Sequence, residues 1–178
     1  MKEYVVFSLL GSDRTGLVDR ITQAITRAKG NLEDSRMAVL GGEFAMVMLC
    51  SAEPGGVTAL EAGVRAASDE LGLLFTAKPT TARKAHSGTV PLSVQVRGMD
   101  HEGIVHDVVH YLVEQGISVE TLDSHVTNAP YSGVLLFSMS LRVEAPHSLS
   151  LSTLRRNLEE VGDKLNVDVD VDPVHVTR

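Results

Sequence analysis

Two segments of the sequence carry residue types that could bind or transform a small molecule. Gly11-Ser12-Asp13-Arg14-Thr15-Gly16 sets an acid and a base between two glycines, just before the aliphatic pair Leu17-Val18 opens an amphipathic run. Glycines let a backbone approach a ligand without a Cβ in the way. A helix opening near Gly16 would aim unpaired amides and the positive end of its dipole at a carboxylate. Asp13 is placed either to meet a ligand or to cap that helix. Asn31 can donate and accept at once.

The second segment is His106-Asp107-Val108-Val109-His110. Two histidines at i and i+4 share a helix face, as in the H-E-x-x-H zinc enzymes. Three features argue against catalysis. The central acid is Asp, one methylene shorter than the usual Glu. No third ligand follows at an obvious spacing, with only His101 and His125 as candidates. Ile104, Val105, Val108, Val109 and Leu112 claim the buried face, which leaves the pair to solvent. The reading is a solvated pair, with no catalytic residues and no metal centre.

Other motifs have plainer explanations. Val167 to Asp172 alternates strictly and lacks the glycine and downstream Glu of a calcium loop, so it reads as a half-buried strand with its carboxylates in water. Such acids also discourage unwanted pairing at a sheet edge. Met37, Met46 and Met48 read as core filler, and Cys50 continues the parity of Met46 and Met48 as a small buried hydrophobe. No phosphate loop, Rossmann fingerprint or Ser/His/Asp order is present.

Charge narrows the classes further. The 178 residues hold 16 basic and 23 acidic side chains, net −7, with a pI near 5.4. That balance gives no broad footprint for phosphate backbones or an anionic membrane. One cysteine cannot bridge within the chain, which fits a reducing compartment. Tyr4 to Leu10 is too short for a signal-peptide core, and Asp13-Arg14 follows it where small residues should mark cleavage. A cytoplasmic protein is expected.

The elements that must hold these residues come from a repeat. Tyr4–Gly16 and Pro91–Gly103 share an apolar run, then Gly-x-Asp-x-x-Gly, then an aliphatic pair, at an offset of 87 residues. Past a longer turn in the second copy, an offset of 91 lays Met48 on Met139 and Glu53 on Glu144. Between the copies, Pro79–Gly88 has linker composition. Domains are therefore placed at 1–78 and 90–178, with a linker at 79–89. Residues 1–78 hold eight basic and ten acidic side chains, net −2, and residues 90–178 six and thirteen, net −7. Periodicity predicts strand, helix, two strands joined at Gly41-Gly42, helix and strand. The second copy repeats this as strand 91–97, helix 103–115, strands 117–127 and 133–143, helix 151–165 and strand 167–176. The order βαββαβ, twice, implies α+β ferredoxin-like units, each an antiparallel sheet with helices on one face.

Gly11–Val18 followed by Asn31-Leu32-Glu33-Asp34-Ser35-Arg36 resembles the ACT domain, a regulatory module with this element order. The longer string Asn31–Ser51 and the segment Thr80-Thr81-Ala82-Arg83 are similar to the glycine cleavage system transcriptional repressors, a family with two tandem ACT domains. The resemblance implies a non-catalytic, amino-acid-sensing regulator without a cofactor. Its ligand would be a small amino acid, glycine or serine, and its partner a transcriptional activator protein; it would not contact nucleic acid directly. ACT domains place effectors between the first loop and the second strand of a partner domain, within one chain or across a homodimer. By that resemblance the site comprises Gly11, Ser12, Asp13, Arg14, Thr15, Gly16, Leu17, Asn31, Glu33 and Asp34. A second site would use Gly98, Asp100, His101, Glu102, Gly103, Ile104 and Ser118. There Glu102 adds negative charge beside Asp100 and weakens carboxylate binding. The alternative is an ACT-fold interaction module that binds no ligand.

Overall fold

A computed structural model of the chain describes residues 1–82, 88–130 and 133–174. The chain divides into two compact units, Met1–Lys84 and Ala85–Arg178. The first runs β1 (Glu3–Ser12), α1 (Leu17–Arg27), β2 (Asn31–Leu40), β3 (Glu43–Ala52), α2 (Val57–Glu70) and β4 (Leu74–Thr80). The second runs β5 (Thr89–Met99), α3 (Ile104–Glu114), β6 (Ser118–Asn128), β7 (Leu135–Pro146), α4 (Leu151–Leu165) and β8 (Val167–Pro173). The sheets have the orders β2-β3-β1-β4 and β6-β7-β5-β8, with antiparallel neighbours throughout.

Alternation decides which face of each sheet is covered. Val5, Phe7 and Leu9 of β1 and Phe44, Met46, Met48 and Cys50 of β3 point one way, and the residues between them point the other. Leu17, Ile21 and Ile25 of α1, with Leu60 and Val64 of α2, close over that face and complete one core. The second unit builds the same core from Leu92, Val94, Val96, Ile104, Val108, Leu112, Leu154 and Leu158. Each fully buried aliphatic side chain contributes roughly 1.5–3 kcal/mol. Two tandem ferredoxin-like units, each an antiparallel sheet with helices on one face, are therefore what the twofold βαββαβ order forms. Gly41 and Gly42 both take positive φ and close the β2–β3 hairpin between Leu40 and Glu43, as a two-residue turn requires.

Several details differ from the expectations. Val5 pairs with Cys50, and its counterpart Leu92 pairs with Val143, so β3 maps onto β7 at an offset of 93 and not 91. Met48 thus corresponds to Leu141, and Met46 to Met139. The longer turn shifts the register by a whole side-chain period, so parity alone could not reveal the error. Met37 is not core filler but 52% exposed, because β2 is an edge strand beyond the reach of the helices. Pro79, Thr80 and Thr89 belong to strands, so the segment read as linker is narrower than 79–89; its residues 83–87 lie outside the described residues. The end of the strand expected at 167–176 also lies outside them. Asp168, Asp170 and Asp172 do face outward on the edge strand β8.

Candidate functional site

The loop after β1 is built by three anchors. Asp13 N–H donates to the Gly42 carbonyl at 3.0 Å, which ties the loop to the β2–β3 hairpin. Ser12 Oγ lies 3.5 Å from Glu43 Oε1 across the β1–β3 pair. Gly16 then takes φ 93°, a left-handed conformation, and serves as the N-cap of α1. The second unit repeats this: Asp100 N–H donates to the Leu135 carbonyl at 2.9 Å, and Gly103 caps α3 at φ 95°.

No side chain caps α1 or α3, whereas Ser150 Oγ accepts from the Thr153 amide at the start of α4. Asp13 therefore does not cap its helix, and the capping explanation for it falls away. Asp13 and Thr15 are exposed beside the uncapped amides of α1. Those amides and the dipole favour an incoming anion, and Asp19 in the first turn competes for the same positive end.

Several residues expected to touch a ligand have other work. A Cβ on Gly11 would lie 2.8 Å from Leu73 Cδ2 and 3.3 Å from the Gly72 carbonyl oxygen. Gly11 is thus needed where the end of β1 passes the turn into β4, whatever else it does. Gly98 is held more tightly: a Cβ there would lie 2.6 Å from Val167 Cγ1 and 2.9 Å from the Asn166 carbonyl oxygen. Leu17 and Ile104 are buried core anchors. Arg14 points away from the helix it precedes and donates through Nη2 to the Leu71 carbonyl at the C-terminal end of α2. A cation suits that end of a helix.

His101 occupies the position of Arg14 and does the same thing. Its Nε2 lies 2.6 Å from the Leu165 carbonyl oxygen at the end of α4, and its Nδ1 lies 2.8 Å from the Glu102 carbonyl oxygen. Carbonyl oxygens only accept, so both contacts are satisfied together by the imidazolium form. The Leu165 carbonyl, then that of Glu102, holds the His101 pKa above its ordinary value; Asp100 and Asp107 act the same way, against partial desolvation. The substitution at this position keeps the clasp between loop and helix.

The strand half of the proposed site lies elsewhere. Asn31 pairs with Ser51, which pairs with Tyr4, whereas Gly11 pairs with Phe44. Seven residues of β1 separate the two rows, roughly 23 Å at strand rise. Asn31, Glu33 and Asp34 therefore do not join Gly11–Gly16 within one unit. Ser118 and Gly98 are separated in the same way along β7, opposite Glu144 and Phe137. Glu33 sits at a bulge and accepts from Ser51 Oγ at 2.5 Å and from Lys2 Nζ at 3.4 Å. The Ser51 hydroxyl first, then Asn31 and Lys2, hold its carboxyl below the usual range despite some desolvation. Asp34 Oδ1 accepts from its neighbours Ser35 N and Arg36 Nη1. Sequence reasoning missed Ser51 and the Leu71 and Leu165 carbonyls; among these only Ser51, the last residue of the Asn31–Ser51 string, carried any sequence signal.

The enzyme-like features have structural partners. His106 and His110 are exposed, with ring centroids 5.6 Å apart; His106 Nδ1 lies 2.8 Å from Asp107 Oδ1, and His110 Nε2 lies 3.4 Å from Glu114 Oε1. Among the described residues, no group of three or more His, Cys, Asp or Glu could hold a metal ion. Burial, with a smaller push from Glu33, raises the Cys50 thiol to about 11, so it stays protonated and unreactive at neutral pH. No helix among the described residues is long and apolar enough to cross a membrane.

Residues 3–78 match the ACT domain family model. The glycine cleavage system transcriptional repressor of Escherichia coli (strain K12) is 26% identical over 177 residues, covering 99% of this chain and 93% of that protein. A crystal structure of an unknown protein from Galdieria sulphuraria superposes with a TM-score of 0.86 at 30% identity, covering 98% of this chain and 99% of that one. A second crystal structure, provisionally named a glycine cleavage system transcriptional repressor, has the same fold at a TM-score of 0.71 and 20% identity, with 98% of each chain covered. The first unit thus matches the ACT domain model, the second repeats its βαββαβ order, and the chain along nearly its whole length is similar to a glycine cleavage system transcriptional repressor.

Proposed function

We propose that this chain is a non-catalytic regulator that senses a small amino acid at the Asp13–Gly16 loop and acts through contact with another protein. The observation that carries the reading is the uncapped start of α1, with exposed Asp13 beside it and Gly16 in the left-handed conformation. The amides suit a carboxylate and Asp13 an α-ammonium group, so the pair matches a zwitterion. Resemblance to the glycine cleavage repressors supports glycine or serine as the ligand and a transcriptional activator as the partner. Because Asn31 lies at the far end of the same sheet, its contribution requires the strand β2 of a second ACT unit. That separation also favours the second reading, an ACT-fold interaction module that binds no amino acid.

A thermal-shift screen of amino acids separates the two. A ligand at a hundredfold excess over its Kd stabilises the folded state by ~2.7 kcal/mol. For a unit of 60–100 residues, each kcal/mol moves Tm by roughly 4–8 °C. Glycine or serine should raise Tm clearly, Asp13→Ala should remove that rise, and Asp100→Ala should matter less. A flat response to every amino acid leaves the interaction module.

A further inference from the structure

The two open sheet faces, those turned away from the helices, differ in kind. In the first unit this face carries Val6, Leu10, Leu40, Val47, Leu49 and Leu74, of which Leu10 is 45%, Val47 50%, Leu40 67% and Leu74 71% exposed. The topologically matching positions in the second unit are Ser93, Arg97, Thr127, Ser140, Arg142 and Asp168. Both faces sit on the same fold, so the fold itself does not demand apolar residues there. The second face exposes the apolar pair Met99 and Leu136 at one end, whereas the first spreads its apolar residues over all four strands, and a patch of that extent marks a surface that is covered in use.

We infer that a second copy of this chain covers it, sheet face to sheet face. With four of these side chains 45–71% exposed, a contact confined to this one sheet face falls at the low end of the size range for specific interfaces, about 1,000 Å² in total. The arrangement of charge points to the same occupant. Strand pairing places Asp34 of β2, Leu49 of β3, Val6 of β1 and Lys78 of β4 in one row across the sheet. A twofold axis along the strands reverses the strand order of the copy while keeping each row level. Asp34 of one protomer, which Arg36 of its own strand also pairs, then faces Lys78 of the other, twice, and Leu49 faces Val6 between them. The next rows oppose Val47 to Ser8 and Ala45 to Leu10. Aligned packing of two sheets tolerates the ~30° between their strands. This contact leaves the Asp13–Gly16 loop free but shares Asp34 with the proposed ligand site, so the Val47 and Leu74 substitutions, read by mass alone, separate it from amino-acid binding.

Sedimentation equilibrium of the full chain at about 100 µM, where an interface at the low end of the size range is still populated, tests it. The expected mass is twice the 19.1 kDa of one chain. Val47→Lys with Leu74→Glu should return it to one chain mass, with unfolding on heating still cooperative by circular dichroism. Asp34→Lys should weaken the dimer, and Asp34→Lys with Lys78→Asp in the same chain should restore it. A monomeric wild-type chain, even one whose face binds a different protein, overturns the proposal. So does a dimer that ignores the Val47 and Leu74 substitutions, or a charge pair that gives no rescue.

Discussion

Replacing Gly98 with alanine places a methyl carbon 2.6 Å from Val167 Cγ1, 2.9 Å from the Asn166 carbonyl oxygen and 3.0 Å from Val167 Cα. Two of those neighbours are backbone, and the third belongs to a β-branched side chain with restricted χ1. None can step aside without moving β8 off β5, where Gly98 pairs with Val167. The same change at Gly11 meets Leu73 Cδ2 at 2.8 Å, the mobile end of a flexible side chain, and a carbonyl oxygen at 3.3 Å. Overpacking costs ~1–3 kcal/mol, so Gly98→Ala should fall at the upper end of that range or above it and Gly11→Ala near the lower end. At roughly 4–8 °C per kcal/mol for a unit of 60–100 residues, the two variants should separate by several degrees. Differential scanning calorimetry without ligand reads this directly. If Gly11→Ala keeps the wild-type Tm but abolishes an amino-acid response, the glycine serves the ligand and the packing argument is wrong. A Gly98→Ala chain no less stable than Gly11→Ala would refute the reasoning from the contacts.

The two clasps should differ in their response to pH. His101 binds a proton more tightly when folded, so its stabilisation is complete below the ordinary value of 6.5 and is lost as pH rises through the folded value. His101→Arg, copying Arg14, should flatten that dependence in urea unfolding followed from about pH 5 to 9. Glu33 has the opposite sign: its lowered pKa contributes above the ordinary value of 4.5 and is lost on acidification, and Ser51→Ala should raise that pKa in an NMR titration. Exchanging both His106 and His110 for Gln should change stability by less than ~0.5 kcal/mol, as exposed sites usually do; a larger loss, or intrinsic zinc in the purified protein by mass spectrometry, would contradict the solvated pair.

Much of the fold was legible because it rests on periodicity. The alternation of Val5, Phe7 and Leu9 and the spacing of Leu17, Ile21 and Ile25 each name a buried face without reference to any other element. What failed needed information from across the sheet. The offset of β3 onto β7 is set by pairing, and two registers that differ by two residues bury the same parity. Met37 looked like core because its type and alternation were right, but an edge strand outlying the helices leaves it in water. The fit of Gly11 against Leu73 spans 62 residues of sequence, and nothing local announces it.

The site was legible only as a segment, because the residues that build a loop and those free to meet a ligand alternate within it. Gly11 and Leu17 are used by the core, Ser12 by Glu43 and Arg14 by the end of α2, which leaves Asp13 and Thr15 with the amides beyond Gly16. Comparison of the two units makes the division sharper than either alone. Where Arg14 becomes His101 the partner stays the same, a carbonyl at the end of the following helix, so the position is constrained by geometry and the residue type is not. Where Thr15 becomes Glu102 no such shared contact compensates, and the added charge stands beside Asp100 at an uncapped helix. A position that changes type and keeps its contact belongs to the scaffold, and one that changes type without a shared contact is where the two loops have been free to diverge in what they bind. By that criterion Thr15 and Glu102, not Arg14 and His101, are the positions at which a ligand of the proposed kind would tell the two loops apart.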